Sequence, residues 1–169
     1  MRRPNYKGGK LMHWKNIANY DYLGAYSLEG SPNNLILTIK TIKQEKVTSE
    51  NGKTEMCIVA CFKETQVGKV VVKPMILNKT NCKTIEKVYG SGEVENWIGK
   101  KVVIYATETR LGRDMVPCLR IKNEKPVLVC SVCGKEIEDK IYDASIAKYC
   151  VPVCSKECVE KLNNKEGKE

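Results

Sequence analysis

The chain is predicted to be mainly β: a five-stranded antiparallel barrel with one helix between its third and fourth strands, followed by a small C-terminal module built on four cysteines. Three observations lead there. Five segments between residues 35 and 122 are rich in β-branched residues and bounded by turn signals. One segment between the third and fourth of these changes to a helical period with polar caps. Beyond residue 126 two close cysteine pairs follow, Cys130-Ser-Val-Cys133 and Cys154-Ser-Lys-Glu-Cys158, with twenty residues between them.

Residues 1–12 carry Arg2, Arg3, Lys7 and Lys10 around Gly8-Gly9 without periodicity and are expected to form a flexible basic arm. The main domain is expected over residues 13–126. Its aromatic-rich start includes His13, Trp14, Tyr20, Tyr22 and Tyr26; residues 17–20 suit one helical turn and residues 23–28 a short strand. A turn at Ser31-Pro32-Asn33-Asn34 precedes the first barrel strand, residues 35–43, in which Leu35, Leu37 and Ile39 alternate with outward positions. Asn51-Gly52 signals a hairpin into residues 55–62, which are apolar on both faces and so central. Residues 69–77 form the third strand, with Pro74 pointing to an edge or a bulge. Polar caps at Asn78 to Asn81, then Ile85, Val88 and Tyr89, then Gly90, describe a helix. Its Lys83 and Lys87 mark a solvated face. Residues 101–107 and 115–122 are the last two strands, joined by a loop around Gly112. The order β-β-β-α-β-β is that of a five-stranded Greek-key OB-type barrel.

Residues 127–169 are too few to bury a sizeable core and are expected to need a metal. Cys130, Cys133, Cys154 and Cys158 supply four thiolates to one tetrahedral Zn²⁺, a closed and therefore structural site. Gly134 suits the knuckle after the first pair. Cys150 competes for the role, since it also stands four positions from Cys154. Ser155 is a good N-cap, which places Cys154 just before a C-terminal helix and Cys158 in its first turn, whereas Pro152 disfavours a helical turn after Cys150. Cys150 is therefore the spare.

The net charge is +9, and it is uneven. Residues 1–126 hold 22 Lys and Arg against 12 Asp and Glu; residues 127–169 hold 7 against 8. The basic surplus belongs to the main domain, as expected for a polyanion partner. OB barrels bind single strands across strands two and three and between the loops joining strands 1–2 and 4–5. Here those loops offer Lys43, Lys46 and Lys53, and Arg110 and Arg113. If Val102, Ile104 and Ala106 face the core, Lys101 and Tyr105 face out, and Arg120 and Lys122 join them from the last strand. Tyr105, Phe62 and Trp14 are stacking candidates; Trp97 reads as core. A zinc with four thiolates adds a net −2, so the tail is expected to dock on the barrel or on a protein. His13 is the only histidine and has no identifiable catalytic partner, and no phosphate-cradling glycine motif is present, so an enzyme is not expected.

His13-Trp14-Lys15, Asp21-Tyr22-Leu23-Gly24-Ala25-Tyr26, Lys73-Pro74-Met75-Ile76-Leu77-Asn78-Lys79-Thr80-Asn81 and Trp97-Ile98-Gly99-Lys100-Lys101 resemble a family of small phage and prophage proteins across residues 13–122. The family is similar to OB-fold single-stranded DNA-binding proteins. That resemblance implies non-enzymatic binding of single-stranded DNA, with RNA open as an alternative, in phage replication or recombination. The competing expectation is an OB and zinc adaptor acting on a replication or host defence protein. With no apolar leader after Met1-Arg2-Arg3 and no long apolar run, the expected location is the host cytoplasm, with no membrane partner.

Overall fold

The computed structural model describes residues 21–29, 34–48 and 52–166. The basic arm, the turn expected at 17–20, His13 and Trp14 lie outside the described residues. In chain order the elements are β1 (Leu35–Thr48), β2 (Thr54–Phe62), β3 (Gln66–Val67), β4 (Val70–Val71), β5 (Met75–Leu77), α1 (Lys79–Tyr89), β6 (Lys101–Leu111), β7 (Asp114–Ile121), α2 (Asp139–Tyr149) and α3 (Lys156–Glu166).

β1 organises the fold because its two halves have different partners. Leu35, Leu37, Thr38 and Ile39 in the first half are buried, and Leu35 to Thr38 pair antiparallel with β6. From Ile39 onward the strand pairs with β2, reaching Thr48 opposite Thr54. The register shifts between Ile39 and Thr41, where the strand changes partners; an irregularity of this kind bends a strand. β5 and β7 extend the two sides, giving an antiparallel order of β5-β2-β1-β6-β7.

The chain is thus mainly β with a five-stranded antiparallel sheet, but the expected closed barrel is not formed. β5 and β7 remain as unpaired edges. The first turn of α1 stands between them. Asn78 caps the helix by accepting the Asn81 backbone N–H at 3.0 Å. The Asn81 side chain then donates to the Leu119 carbonyl and accepts from the Ile121 N–H, both at 3.2 Å. Alternate residues of a strand direct their backbone groups to opposite sides. The neighbouring Lys122 N–H bonds Val103 of β6, so Leu119 and Ile121 present theirs to the free edge. One side chain satisfies two groups that a closing strand would take.

Helix placement also differs from the expectation. The expected third strand, residues 69–77, is broken: β4 pairs in a separate hairpin with β3, and β5 begins just after Pro74. Pro74 cannot donate to a ladder, and its carbonyl accepts from Leu23 instead. α1 therefore follows the fifth strand of the chain, and α2 and α3 follow the sheet. Residues 23–28 are not a strand. Leu23 and Leu28, five apart, would lie on opposite faces of one; a 3₁₀ turn over Ala25–Leu28 lets both enter the same core. Leu37, Ile39, Met75, Ile85, Ile104 and Trp97 fill that core, and the Trp97 indole N–H is satisfied by the Ser91 carbonyl at 2.7 Å.

The hairpins run further than expected. β6 and β7 stay paired to Leu111 and Asp114, so the segment around Gly112 is the tight tip of a ribbon. Gly112 has φ +63°, the conformation that two-residue hairpins assign to glycine. Because this ribbon extends past the core, Ala106 is exposed and not a core residue.

The tail packs on the sheet through α2. Tyr142 is buried, with its hydroxyl 3.5 Å from the Ile36 carbonyl oxygen. The Cys150 carbonyl accepts from Gly68 in the β3–β4 turn at 2.6 Å.

Candidate metal centre and nucleic-acid interface

Two local structures place the four cysteines. Val129 bridges Glu136 across a small hairpin whose knuckle holds Cys130 and Cys133. The Cys130 N–H bonds the Lys135 carbonyl, and the Gly134 N–H returns to the Cys130 carbonyl. Gly134 takes φ +72° to make that reversal. The second pair is set by the start of α3, where the Ser155 hydroxyl accepts the Cys158 N–H at 3.4 Å. Cys130, Cys158 and Val153 form a small buried cluster of their own. The Ser131 N–H bonds the Pro152 carbonyl at 2.9 Å and ties the two halves together.

The four sulfurs lie within 4.8 Å of one another. Cys133 and Cys154 are 3.4 Å apart, and Cys154 and Cys158 3.5 Å. Thiolates at about 2.3 Å from one tetrahedral ion stand roughly 3.8 Å from each other, so the set fits a single metal. Burial pushes the Cys130 thiol up, but N–H groups of Cys133, Val132 and Cys154 outweigh it and bring it to about 6. The neighbouring sulfurs of Cys133 and Cys158 push Cys154 up to about 12. Sulfurs this close share protons until a cation takes their place. Cys150 lies outside the cluster. It ends α2 in a left-handed conformation, φ 57°, with its N–H on the Ile146 carbonyl.

The residues expected to form a nucleic-acid surface are not brought together as one set. Lys101 departs most. Its side chain is only 10% exposed and lies between Asp139 at 3.0 Å and Asp143 at 2.8 Å, over the Tyr142 ring. Burial disfavours its ammonium, yet Asp143 and Asp139 raise its pKa above the ordinary value. Phe62 is half-buried and packs against the core, opposite Ile39. Lys43 is paired with Glu45, which also accepts from the Tyr22 hydroxyl at 3.0 Å. Lys53 pairs with Glu55 at 2.6 Å, and Lys122 with Glu124 at 3.5 Å.

The rest remain available. Tyr105 and Arg120 are half-buried cross-strand neighbours, and Arg120 donates to the Thr109 hydroxyl at 3.3 Å. Lys46, Arg110 and Arg113 are exposed, and Arg110 donates to the Gly112 carbonyl at 3.3 Å. The expected convergence of the two loops is not evident in the register. The β1–β2 ribbon continues beyond one end of the β1–β6 pairing, and the β6–β7 ribbon beyond the other.

Sequence reasoning missed Asp139 and Asp143, the residues that hold the tail against Lys101. Two carboxylates four apart on one helix face were the available signal. No helix among the described residues is long and apolar enough to cross a membrane. No protein-family model, curated protein or solved structure matches this chain.

Proposed function

We propose that the chain is a non-enzymatic single-stranded DNA-binding protein of phage replication or recombination, built on an OB-type sheet and stabilised by a structural zinc. The OB reading rests on strand order. β1 lies between β2 and β6, as the first strand of an OB barrel lies between the second and the fourth, and α1 follows β5, the third of the five sheet strands in chain order. The zinc reading rests on a donor set of four sulfurs, the closed set of structural zinc sites. The phage setting rests on the sequence resemblance. The observation that carries binding is that Lys46, Arg110 and Arg113 project from the two ribbons of a basic domain with no carboxylate partner among the described residues. Cations of this kind neutralise phosphates, and Tyr105 on the same β6–β7 ribbon, opposite Arg120, supplies an aromatic face.

Titration of labelled oligothymidylate at two salt concentrations tests this. Binding that weakens steeply with salt is expected. No binding at low salt, or binding indifferent to salt, rejects the reading.

A second reading, a protein-interaction adaptor, is favoured by one observation. Leu111 and Met115 at the β6–β7 tip are 69% and 59% exposed, and Met56 on the other ribbon is 57% exposed. Co-purification of a protein partner that survives nuclease treatment supports it.

A further inference from the structure

At the seam between the sheet and α2 lies a cleft of about 480 Å³. Its floor is β1 at Thr38, close to where the strand changes partners. Two lysines flank that point and are positioned by the backbone. The Lys63 N–H bonds the Thr38 carbonyl at 3.0 Å, and the Lys100 carbonyl accepts from Ile39 at 2.9 Å. Lys125 reaches the same cleft from the linker. The ammonium groups of Lys100 and Lys125 stand 5.7 and 5.9 Å from the centre of one ring, that of Tyr89. That ring is itself anchored, its hydroxyl donating to the Lys101 carbonyl.

The acids nearby are already engaged. Asp139 and Asp143 both bind Lys101. Glu64, next to Lys63, uses both carboxylate oxygens on Thr38, at 2.8 Å to the N–H and 2.7 Å to the hydroxyl. Glu124 faces Lys122. Lys63, Lys100 and Lys125 therefore have no carboxylate partner among the described residues, and the cleft walls carry four lysines against two aspartates. Like charges gathered in a recess repel one another until an anion joins them.

We propose that this cleft is a binding site for a phosphate group, held by Lys63, Lys100 and Lys125. Ammonium groups on flexible stems suit phosphate as point charges. The volume lies in the range that accepts a small phosphorylated ligand as well as a backbone phosphate. The attraction of both ammonium groups to the Tyr89 ring restrains them and reduces the freedom that binding must remove. The site is completed by the tail, since Asp139 and Asp143 form one wall and hold Lys101 out of the cluster. It is separate from the ribbons, so it stands or falls independently of them.

The test uses the full metal-loaded chain and two probes: inorganic pyrophosphate followed by calorimetry, and labelled oligothymidylate. The variants are K100Q/K125Q and K63Q, with K87Q on the solvated face of α1 as control and melting curves to establish folding. Binding of pyrophosphate, weakened about tenfold or more by K100Q/K125Q and also by K63Q but not by K87Q, is expected. Binding of the oligonucleotide alone, with the same variant pattern, assigns the site to a nucleic-acid backbone. If neither probe binds at low salt, or both bind folded K100Q/K125Q and K63Q as tightly as the parent, the proposal is overturned. Oligonucleotide binding that ignores these variants but responds to Arg110 and Arg113 overturns the cleft and leaves the ribbon reading intact.

Discussion

The side-chain amide of Asn81 donates to the carbonyl oxygen of Leu119 at 3.2 Å, joining the first turn of α1 to the open edge of the sheet. Asn81 is 1% exposed and has no water to fall back on. A short side chain on a helix here substitutes for a ladder pairing, because its amide carries a donor and an acceptor in the order that a peptide would. Its reach is also why the sheet stays open without leaving buried groups unmatched.

Replacing Asn81 with Leu leaves the Leu119 carbonyl and the Ile121 N–H unpaired. Two such groups cost roughly 2–4 kcal/mol. Urea denaturation followed by tryptophan fluorescence should show that loss with an unchanged m-value. Asn81→Asp should also destabilise, since it removes the donor facing Leu119. A loss below about 0.5 kcal/mol in both would mean that α1 does not secure the edge.

Lys101→Met tests the seam between sheet and tail. The pair is strong on the lysine side and partly exposed on the aspartate side, so a loss of roughly 1–2 kcal/mol is expected after allowing for solvent screening. Burial works against the ammonium, but Asp143 and Asp139 raise its pKa above 10.5. A group whose folded pKa is raised contributes fully below its unfolded value and loses that contribution as pH rises through the folded one. The difference between Lys101→Met and the parent should therefore hold steady from about pH 6 to 9 and shrink only above about pH 10.5. A difference that vanishes at neutral pH counts against the pairing.

Metal content separates the cysteines. On the proposed ligand set, Cys133→Ser or Cys154→Ser should abolish binding of one zinc per chain, whereas Cys150→Ser should retain it, read by mass spectrometry under native conditions. Cys150→Gly should in addition raise stability by about 1 kcal/mol, because φ 57° strains any residue with a Cβ. Loss of metal from either Cys150 variant would overturn the ligand assignment.

Arg110→Ala with Arg113→Ala tests the ribbon. If both neutralise phosphates, the slope of log affinity for oligothymidylate against log salt should fall by about 1.4. An unchanged slope places the contacts elsewhere.

Much of this protein is written locally. The period-two alternation of β1, the caps at Asn78 and Gly90, and the Ser155 cap all read directly, since each depends on neighbours a few residues away. Cys130, Cys133, Cys154 and Cys158 also read from spacing, because a metal's ligand geometry leaves few alternatives. Lys101 departs from its expected place for the opposite reason: alternation places it on the outer face, and nothing nearby says that α2, beginning at Asp139, covers that face.

The sequence by itself determined the long strands β1, β2, β6 and β7, the helix α1 with its caps, and which cysteines stand together, because backbone period, capping and ligand spacing act over short range. Only the tertiary structure decided what β1 pairs with at each end, how Asn81 occupies the open edge, and which lysines are neutralised. Those outcomes rest on hydrogen bonds and charges between residues far apart in the chain, where meeting depends on the sheet bending at Ile39 and on α2 coming down over Lys101.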